Sequence, residues 1–318
     1  MKNNLWKSLK QPILVLAPMD DVTDFVFREI MCDVGRPGVF FTEFTNCDAL
    51  ASSGREKQIT RLKFSERQKP IVAQIWGANP ENYFKTAQLV QEMGFDGVDI
   101  NMGCPDRTVV KNKCGAALIK NEPLVKEIID AVRKGAPDLP LSIKTRLGFN
   151  KIETDTWLSF LLSFRLEALI VHLRTAKELS KAPAHWEESL KIIQMRDILS
   201  PNTMVIGNGD VKSYKDAEEK IKKYGVDGVM IGRGVFSNLW IFNEEEAEKE
   251  HSMPEILGVM KKHMDLFETV WGNSKNFNIM KKFFKVYINN FPGAAKLREK
   301  FMNCRNYGEV NKLLTSSF

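Results

Sequence analysis

The 318-residue sequence contains no run of roughly eighteen apolar residues, so no membrane span is expected. Lys2, Lys7 and Lys10 precede Pro12 with no apolar stretch behind them, and residues 1–12 do not read as a secretory signal. The five cysteines are an odd number, and no two of them form C-x-x-C. A disulfide framework, a zinc knuckle and a structural metal are therefore not expected, and the cysteine usage suits a reducing cytoplasm. No G-x-G-x-x-G follows the first apolar run, which argues against a dinucleotide-binding open sheet. Internal repeats and low-complexity tracts are also missing.

What is present is a full-sized globular composition, 43% hydrophobic and 27% charged. The net charge of +6 is unevenly placed. Residues 251–318 hold 11 Lys+Arg against 5 Asp+Glu, while the first 250 residues hold 35 of each sign. A neutral body with a basic terminal segment fits a nucleic-acid grip. On charge alone it fits a solvated helical face as well.

Eight short apolar runs recur, at 13–17, 39–42, 71–75, 97–101, 141–145, 168–172, 204–208 and 228–231. They are continuous rather than alternating, as expected for parallel strands buried on both faces. Helix punctuation lies between them. Asn79-Pro80 and Asn121 with Pro123 offer N-terminal caps, Gly94 offers a stop, and Ser213 and Gly225 bracket a third helix. Strand and helix alternating eight times predicts an α/β fold, a (β/α)8 TIM barrel. After Trp240 strand signals vanish, and 253–271, 277–290 and 294–301 read as helices. The expected division is a barrel over residues 1–245 and a small all-helical C-terminal domain over 246–318. The longest interruption, 43–70, is polar and reads as either a substrate-facing excursion or a plain surface insertion.

In such barrels the active face lies at the C-terminal strand ends. There the sequence places Ala17-Pro18-Met19, Gln74, Asn101 through Pro105, Lys144, His172, Asn208-Gly209-Asp210 and Gly232-Arg233-Gly234. The last two groups close runs seven and eight, the usual phosphate position, where glycine N–H groups and Arg233 can meet an anion. Lys144 closing an apolar run is costly unless it meets an anion or water, a structural ion pair being the plainer alternative. Gln74 and His172 are candidate polar contacts of the same mouth, or simply polar caps of it. Cys104, in a Gly-Cys-Pro turn, carries a thiol that is mainly protonated at neutral pH and so suited to a general acid's task. Cys32 and Cys304 read as structural, with Cys114 the one local rival.

Taken together these segments resemble the dihydrouridine synthase family across essentially the whole chain. The resemblance is carried by residues 17–24 (APMDDVTD) with Phe27-Arg28, by Gln74 with Gly77, by 99–105 (DINMGCP), and by 115–118 (GAAL). It continues through 144–148 (KTRLG), His172 with Arg174-Thr175, 208–210 (NGD) and 231–234 (IGRG). The resemblance implies FMN held by Pro18, Met19, Asp20, Gln74, Lys144 and His172, with Asn208, Gly209, Asp210, Gly232 and Arg233 completing the site. Lys144 would face the flavin's N1–C2 carbonyl edge, which gains negative charge on reduction. It implies reduction of uridines in transfer RNA, hydride passing from flavin N5 to C6 and a proton from Cys104 to C5, with NADPH re-reducing the flavin. Asn101, Arg174, Lys281, Lys282 and Lys285 are the expected RNA contacts, on a monomeric, cytoplasmic protein.

Two segments depart from the family pattern. Residues 173–182 replace a stretch in which the family has glycine, glutamine and an aromatic residue, and Leu239 stands where proline is usual. Three rival readings stay open: the same chemistry on ribosomal RNA, an FMN barrel resembling dihydroorotate dehydrogenase acting on a free pyrimidine, and a non-catalytic RNA-binding protein.

Overall fold

The computed structural model describes residues 4–272, 274–289 and 291–316. Nine parallel strands form one nearly closed barrel: β1 (Ile13–Leu16), β2 (Phe40–Phe41), β3 (Thr45–Asn46), β4 (Ile71–Trp76), β5 (Gly97–Asn101), β6 (Leu141–Arg146), β7 (Ala168–His172), β8 (Met204–Asn208) and β9 (Gly228–Ile231). They neighbour one another in the order β1-β9-β8-β7-β6-β5-β4-β2. The first strand thus pairs with the last, Ile13 opposite Gly228 and Leu16 opposite Ile231. All eight expected runs are strands. The second is cut to two residues, and β3 lies inside the polar 43–70 excursion, pairing with the far end of β4. β2 and β3 together make one stave. The seam between β1 and β2 is closed by the Val15–Val39 bridge and by Gly38 N donating to Leu14 O at 2.8 Å.

Continuous apolar runs follow from burial on both strand faces. The inward residues Ile13, Val15, Val72, Ile170, Ile206 and Met230 form one cluster inside the barrel. The outward residues Leu14, Leu16, Ala73 and Ile75 join the larger cluster beneath the helices. A short helix, Leu5–Ser8, capped by Asn4 accepting from Trp6 N, adds Leu5 and Trp6 to the inner cluster. Trp6 is 1% exposed, and a tryptophan so buried contributes about 3–5 kcal/mol against alanine. The caps act where the sequence places them. Asn79, Asn121 and Ser213 each accept a helix N–H, and Gly225 ends the helix Tyr214–Tyr224 at φ 69°.

Among the described residues four helices follow the barrel: Met253–Trp271, Asn278–Tyr287, Ala294–Asn303 and Tyr307–Ser316. The first matches the expectation and opens on a Ser252–Glu255 capping box. The expected end of the second at Asn290 lies outside the described residues. The fourth was not expected, because Tyr307, Val310 and Leu314 give too short an apolar pattern to stand out. Among the described residues no helix is long and apolar enough to cross a membrane.

These helices share one apolar core with the barrel, seated on the helix Phe25–Val34. Phe27 stacks on Phe283 at 5.5 Å, and His263 meets the Phe283 ring edge-on at 4.6 Å. Burial lowers the His263 imidazole to about 4, so it is a neutral member of that core. The polar centre of the junction is Asp24, 4% exposed. Its carboxylate caps the helix through Phe27 N at 3.0 Å and accepts from Trp271 Nε1 at 2.8 Å and Lys275 Nζ at 3.0 Å. Asp24→Ala removes the cap and strands a buried indole N–H, and should cost about 2–4 kcal/mol in urea unfolding. A loss below about 1 kcal/mol would mean that the apolar contacts alone hold the helices down.

Candidate functional site

Strand side chains alternate in direction, so the inward set runs on fixed parity. On β1 and β7–β9 that set is apolar almost to the strand ends. On β4–β6 it is polar and charged: Gln74, then Asp99 and Asn101, then Ser142, Lys144 and Arg146. His172 and Asn208 continue the polar ring at the ends of β7 and β8, in register with each other.

Four of these form a buried hydrogen-bonded chain. Ser142 Oγ donates to Asp99 Oδ1 at 2.7 Å, and Gln74 Nε2 donates to Asp99 Oδ2 at 2.7 Å. Asn101 Nδ2 donates to Gln74 Oε1 at 2.9 Å, while its Oδ1 accepts Gly103 N at 3.1 Å and Cys104 N at 2.9 Å. Burial raises Asp99 to about 7, against its hydrogen bonds and the charge of Lys144.

Lys144 stands at the open end of the same wall. Its Nζ donates to Asn208 Oδ1 at 3.1 Å, and Asn208 Nδ2 donates to Met230 O at 2.7 Å, linking β6, β8 and β9. Among the described residues no carboxylate lies within salt-bridge distance of Lys144. The ammonium is lowered to about 8, chiefly by burial and then by Arg146 nearby, with Asp99 and Cys104 opposing. His172 is held far below the ordinary imidazole value by burial, then by Arg146, Lys144, Arg174 and Arg233. It is neutral, and Arg174 Nη1 lies 3.1 Å from its Nε2. A guanidinium only donates, so Nε2 accepts and the ring proton sits on Nδ1.

Pro18, Met19, Lys144, His172, Asn208, Gly209, Asp210, Gly232 and Arg233 line one cleft of about 590 Å³. At its β8–β9 end Asp210, at φ 50°, pairs with Arg174 and accepts Ala184 N at 2.9 Å. Burial raises the Asp210 carboxyl, but Arg174, the Ala184 N–H and Arg233 outweigh it and hold it low. Arg233 reaches to 4.0 Å of the same carboxylate and is largely exposed. Two guanidiniums against one carboxylate leave this end net positive, as an anion requires.

Arg174, expected at the RNA, is 2% exposed. It lines the cleft with its guanidinium committed to His172, Asp210 and Ala182 O. Asp20 does not line the cleft, and its carboxylate pairs with Arg61. Gln74 and Asn101 lie buried behind the wall. The divergent 173–182 segment is tied to the site: Arg146 donates to Thr175 O at 2.9 Å, to Leu179 O at 2.8 Å and, through Nε, to Gly103 O at 2.7 Å.

Cys104 sits half-buried on that turn. Burial raises its thiol above the ordinary value, the charge of Asp106 adding to this, while the Asp106 N–H and Arg146 oppose. The thiol is therefore protonated at neutral pH. Gly115 packs against it at φ 58°, where an added Cβ would lie 2.7 Å from Cys104 O and 2.8 Å from Val109 Cγ1. No side chain fits there without displacing the turn. Cys47, Cys114 and Cys304 are buried, Cys114 donating to Asn112 O at 3.1 Å, and Cys32 donates to Arg67 O at 3.3 Å.

Lys281, Lys282 and Lys285 lie on the helix Asn278–Tyr287. Lys282 donates to Asp21 O at 2.7 Å, bridging to the loop after β1. Lys282 and Lys285 rim a groove of about 430 Å³ floored by Val22, Phe236, Phe283 and Val286. Ser237 borders both groove and cleft. Lys281 is half-buried, its ammonium 5.9 Å from the Phe277 ring. Asp99, Ser142, Arg146 and Gly115 were not singled out as site residues from the sequence. The available signal was parity, since Asp99 precedes Asn101 by two and Arg146 follows Lys144 by two.

Residues 15–318 match the model of the family described as dihydrouridine synthase (Dus). A probable tRNA-dihydrouridine synthase of Staphylococcus aureus (strain COL) is 42% identical over 317 residues, 99% of this chain and 95% of that protein. A probable tRNA-dihydrouridine synthase 2 of Bacillus subtilis (strain 168) is 43% identical, covering 99% and 96%. The solved 6-hydroxypseudooxynicotine amine oxidase of Pseudomonas geniculata N1 shares the fold alone, at 12% identity and a TM-score of 0.51, over 82% of this chain and 53% of that one. Similarity that spans barrel and terminal helices alike makes this chain a member of the dihydrouridine synthase family.

Proposed function

We propose that the protein reduces selected uridines of transfer RNA to 5,6-dihydrouridine, with FMN in the barrel mouth and NADPH as reductant. The observation that carries this reading is Lys144, a half-buried ammonium with an amide partner but, among the described residues, no carboxylate, facing a cleft that ends in a net-positive phosphate position. The residues fit FMN. The cleft falls in the roughly 300–1,000 Å³ range of cofactor sites. Lys144 suits the flavin's electron-rich carbonyl edge, His172 offers an N–H donor to the ring, Arg233 with Gly209 and Gly232 suits the phosphate, and Gln74 supports the wall behind rather than touching the ring. Pro18 and Met19, which line the cleft at the end of β1, would contact the flavin there. When bound, the flavin supplies the hydride that saturates C6 of the base.

The remaining work falls to the chain. Cys104 Sγ–H gives its proton to C5, and a thiol with a raised pKa is loaded for that at neutral pH. Asn101 seats the Cys104 turn through two backbone N–H groups. Arg174 holds Asp210 and His172 in place rather than gripping RNA directly. Residues 1–245 act as the catalytic domain and 246–318 as the RNA-binding domain, with Lys282 and Lys285 meeting phosphates along the groove that leads from the cleft.

Nucleoside mass spectrometry on unmodified transfer RNA, incubated with the protein, FMN and NADPH, should show dihydrouridine that Cys104→Ala loses. Full activity of that variant would remove the acid assignment. Product on ribosomal RNA alone, or on a free pyrimidine alone, would replace the substrate.

The single-turnover rate should be level near neutral pH and fall as pH rises past about 8. Two changes act in the same direction there: Lys144 loses its proton at about 8, and the Cys104 thiol ionises at its own raised pKa. A rate that climbed through this window would contradict both roles.

Charge reversal at Lys281, Lys282 and Lys285 together should raise the KM for RNA by about tenfold or more and flatten its salt dependence. Flavin content should stay unchanged. Unaltered RNA affinity would move the grip to another face.

A further inference from the structure

We propose that Asp99 is a positioning residue, a buried acceptor that sets the direction of the Gln74–Asn101 amide chain and so the seat of the Cys104 turn. The proposal rests on the reading of Cys104 given above only where activity is measured.

The direction follows from hydrogen-bond chemistry. The N–H groups of Gly103 and Cys104 can only donate, so Asn101 must turn Oδ1 to them. Its Nδ2 then has to donate, and Gln74 Oε1 receives it at 2.9 Å. Gln74 is left with Nε2 to place, and the chain needs an acceptor at its root. Asp99 Oδ2 is that acceptor, at 2.7 Å. Gln74, Asp99 and Ser142 are 0% exposed and Asn101 6%, so bulk water does not replace a missing partner.

Without the root acceptor the Gln74 amide is free to turn over. It would then present Nε2 to Asn101 Nδ2, donor against donor, and loosen the turn above. Asp99 can take up a proton on Oδ1, because the Ser142 hydroxyl facing it accepts as well as donates. Oδ2 remains an acceptor in either state. Asparagine reproduces that neutral form, with Oδ1 to Gln74 and Nδ2 to Ser142 Oγ. Leucine keeps the volume and offers no acceptor.

The test uses the full chain loaded with FMN. One readout is the rate of Cys104 alkylation by iodoacetamide without RNA, followed by peptide mass mapping. The other is kcat and KM for dihydrouridine formation. Asp99→Leu should change the alkylation rate at least ~10-fold and lower kcat ~100-fold, with the KM for RNA within ~2-fold. The conservative Asp99→Asn should bring both readouts back to within ~3-fold of the parent. Should Asp99→Leu fail to fold by circular dichroism, Asp99→Val, smaller and β-branched on its strand, takes its place. It too offers no acceptor, and the same behaviour should appear. Unchanged alkylation in the disrupting variant would overturn the proposal. So would Asp99→Asn behaving like leucine, since that would assign the effect to charge. Alkylation reads the seat of the thiol with no reaction running, so a fully active Cys104→Ala would sink the function reading and leave this outcome standing.

Discussion

Putting charge inside a barrel is the constraint to which the rest of this structure answers. An ion taken from water into a protein interior costs several kcal/mol unless partners replace its hydration. The walls β4–β6 carry Asp99, Lys144 and Arg146 inward, and Arg174 follows two residues past the end of β7. Arg146 meets that cost with three backbone carbonyls, and Arg174 with a carboxylate, a carbonyl and an imidazole. Asp99 does so with a hydroxyl and an amide. Lys144 is the exception: one amide oxygen at 3.1 Å is a thin replacement for water, and the lowered pKa is the measure of the deficit. A group left under-satisfied in an otherwise satisfied wall marks where a ligand completes the structure.

The same partners decide which loops are held. Arg146 ties the Cys104 turn to the segment after β7, and Arg174 ties that segment to Asp210 after β8. Loops that differ in sequence from the family pattern are thereby anchored by side chains that do not. The change after His172 leaves the backbone carbonyls of Thr175, Leu179 and Ala182 available, and carbonyls are what the two arginines use. A change of side chains after His172 leaves these ties in place because the contacts are to main chain.

Much of the barrel was legible because its strands are buried on both sides, which makes each run dense and short. The second stave was the least legible. Two pieces, β2 and β3, share it, and Thr45-Asn46 sits in a polar stretch that no apolar count would find. The terminal helix Tyr307–Ser316 was missed for want of length. At the site, strand-end position located Lys144, His172, Asn208 and Arg233 in one cleft. It did not separate residues that face the cleft from residues that support it. Asp20 and Arg174 look alike in sequence, polar and just past a strand. Only the fold shows one paired with Arg61 and the other buried under the mouth. Gln74 and Asn101 form a chain whose root, Asp99, is two residues from one of them and on a different strand from the other. Hydrogen-bond direction is a property of pairs, and no single position in a sequence displays it.

The state of Cys104 bears on what kind of site this is. A cysteine nucleophile or redox thiol needs a lowered pKa, supplied by nearby cations or a helix N-terminus. Here burial acts the other way and outweighs the Asp106 N–H, and the opposing cation Arg146 has its donors engaged by carbonyls. The environment keeps a proton on sulfur, which is a defect in a nucleophile and a requirement in an acid. Gly115 adds a steric condition to the electrostatic one, since its left-handed conformation and close contact with the Cys104 turn leave no room for a side chain there. A scaffold that only bound RNA would gain nothing from either device, nor from an ammonium buried without a counter-ion across the mouth. Their joint presence fits a site that delivers a proton beside a place where negative charge is received.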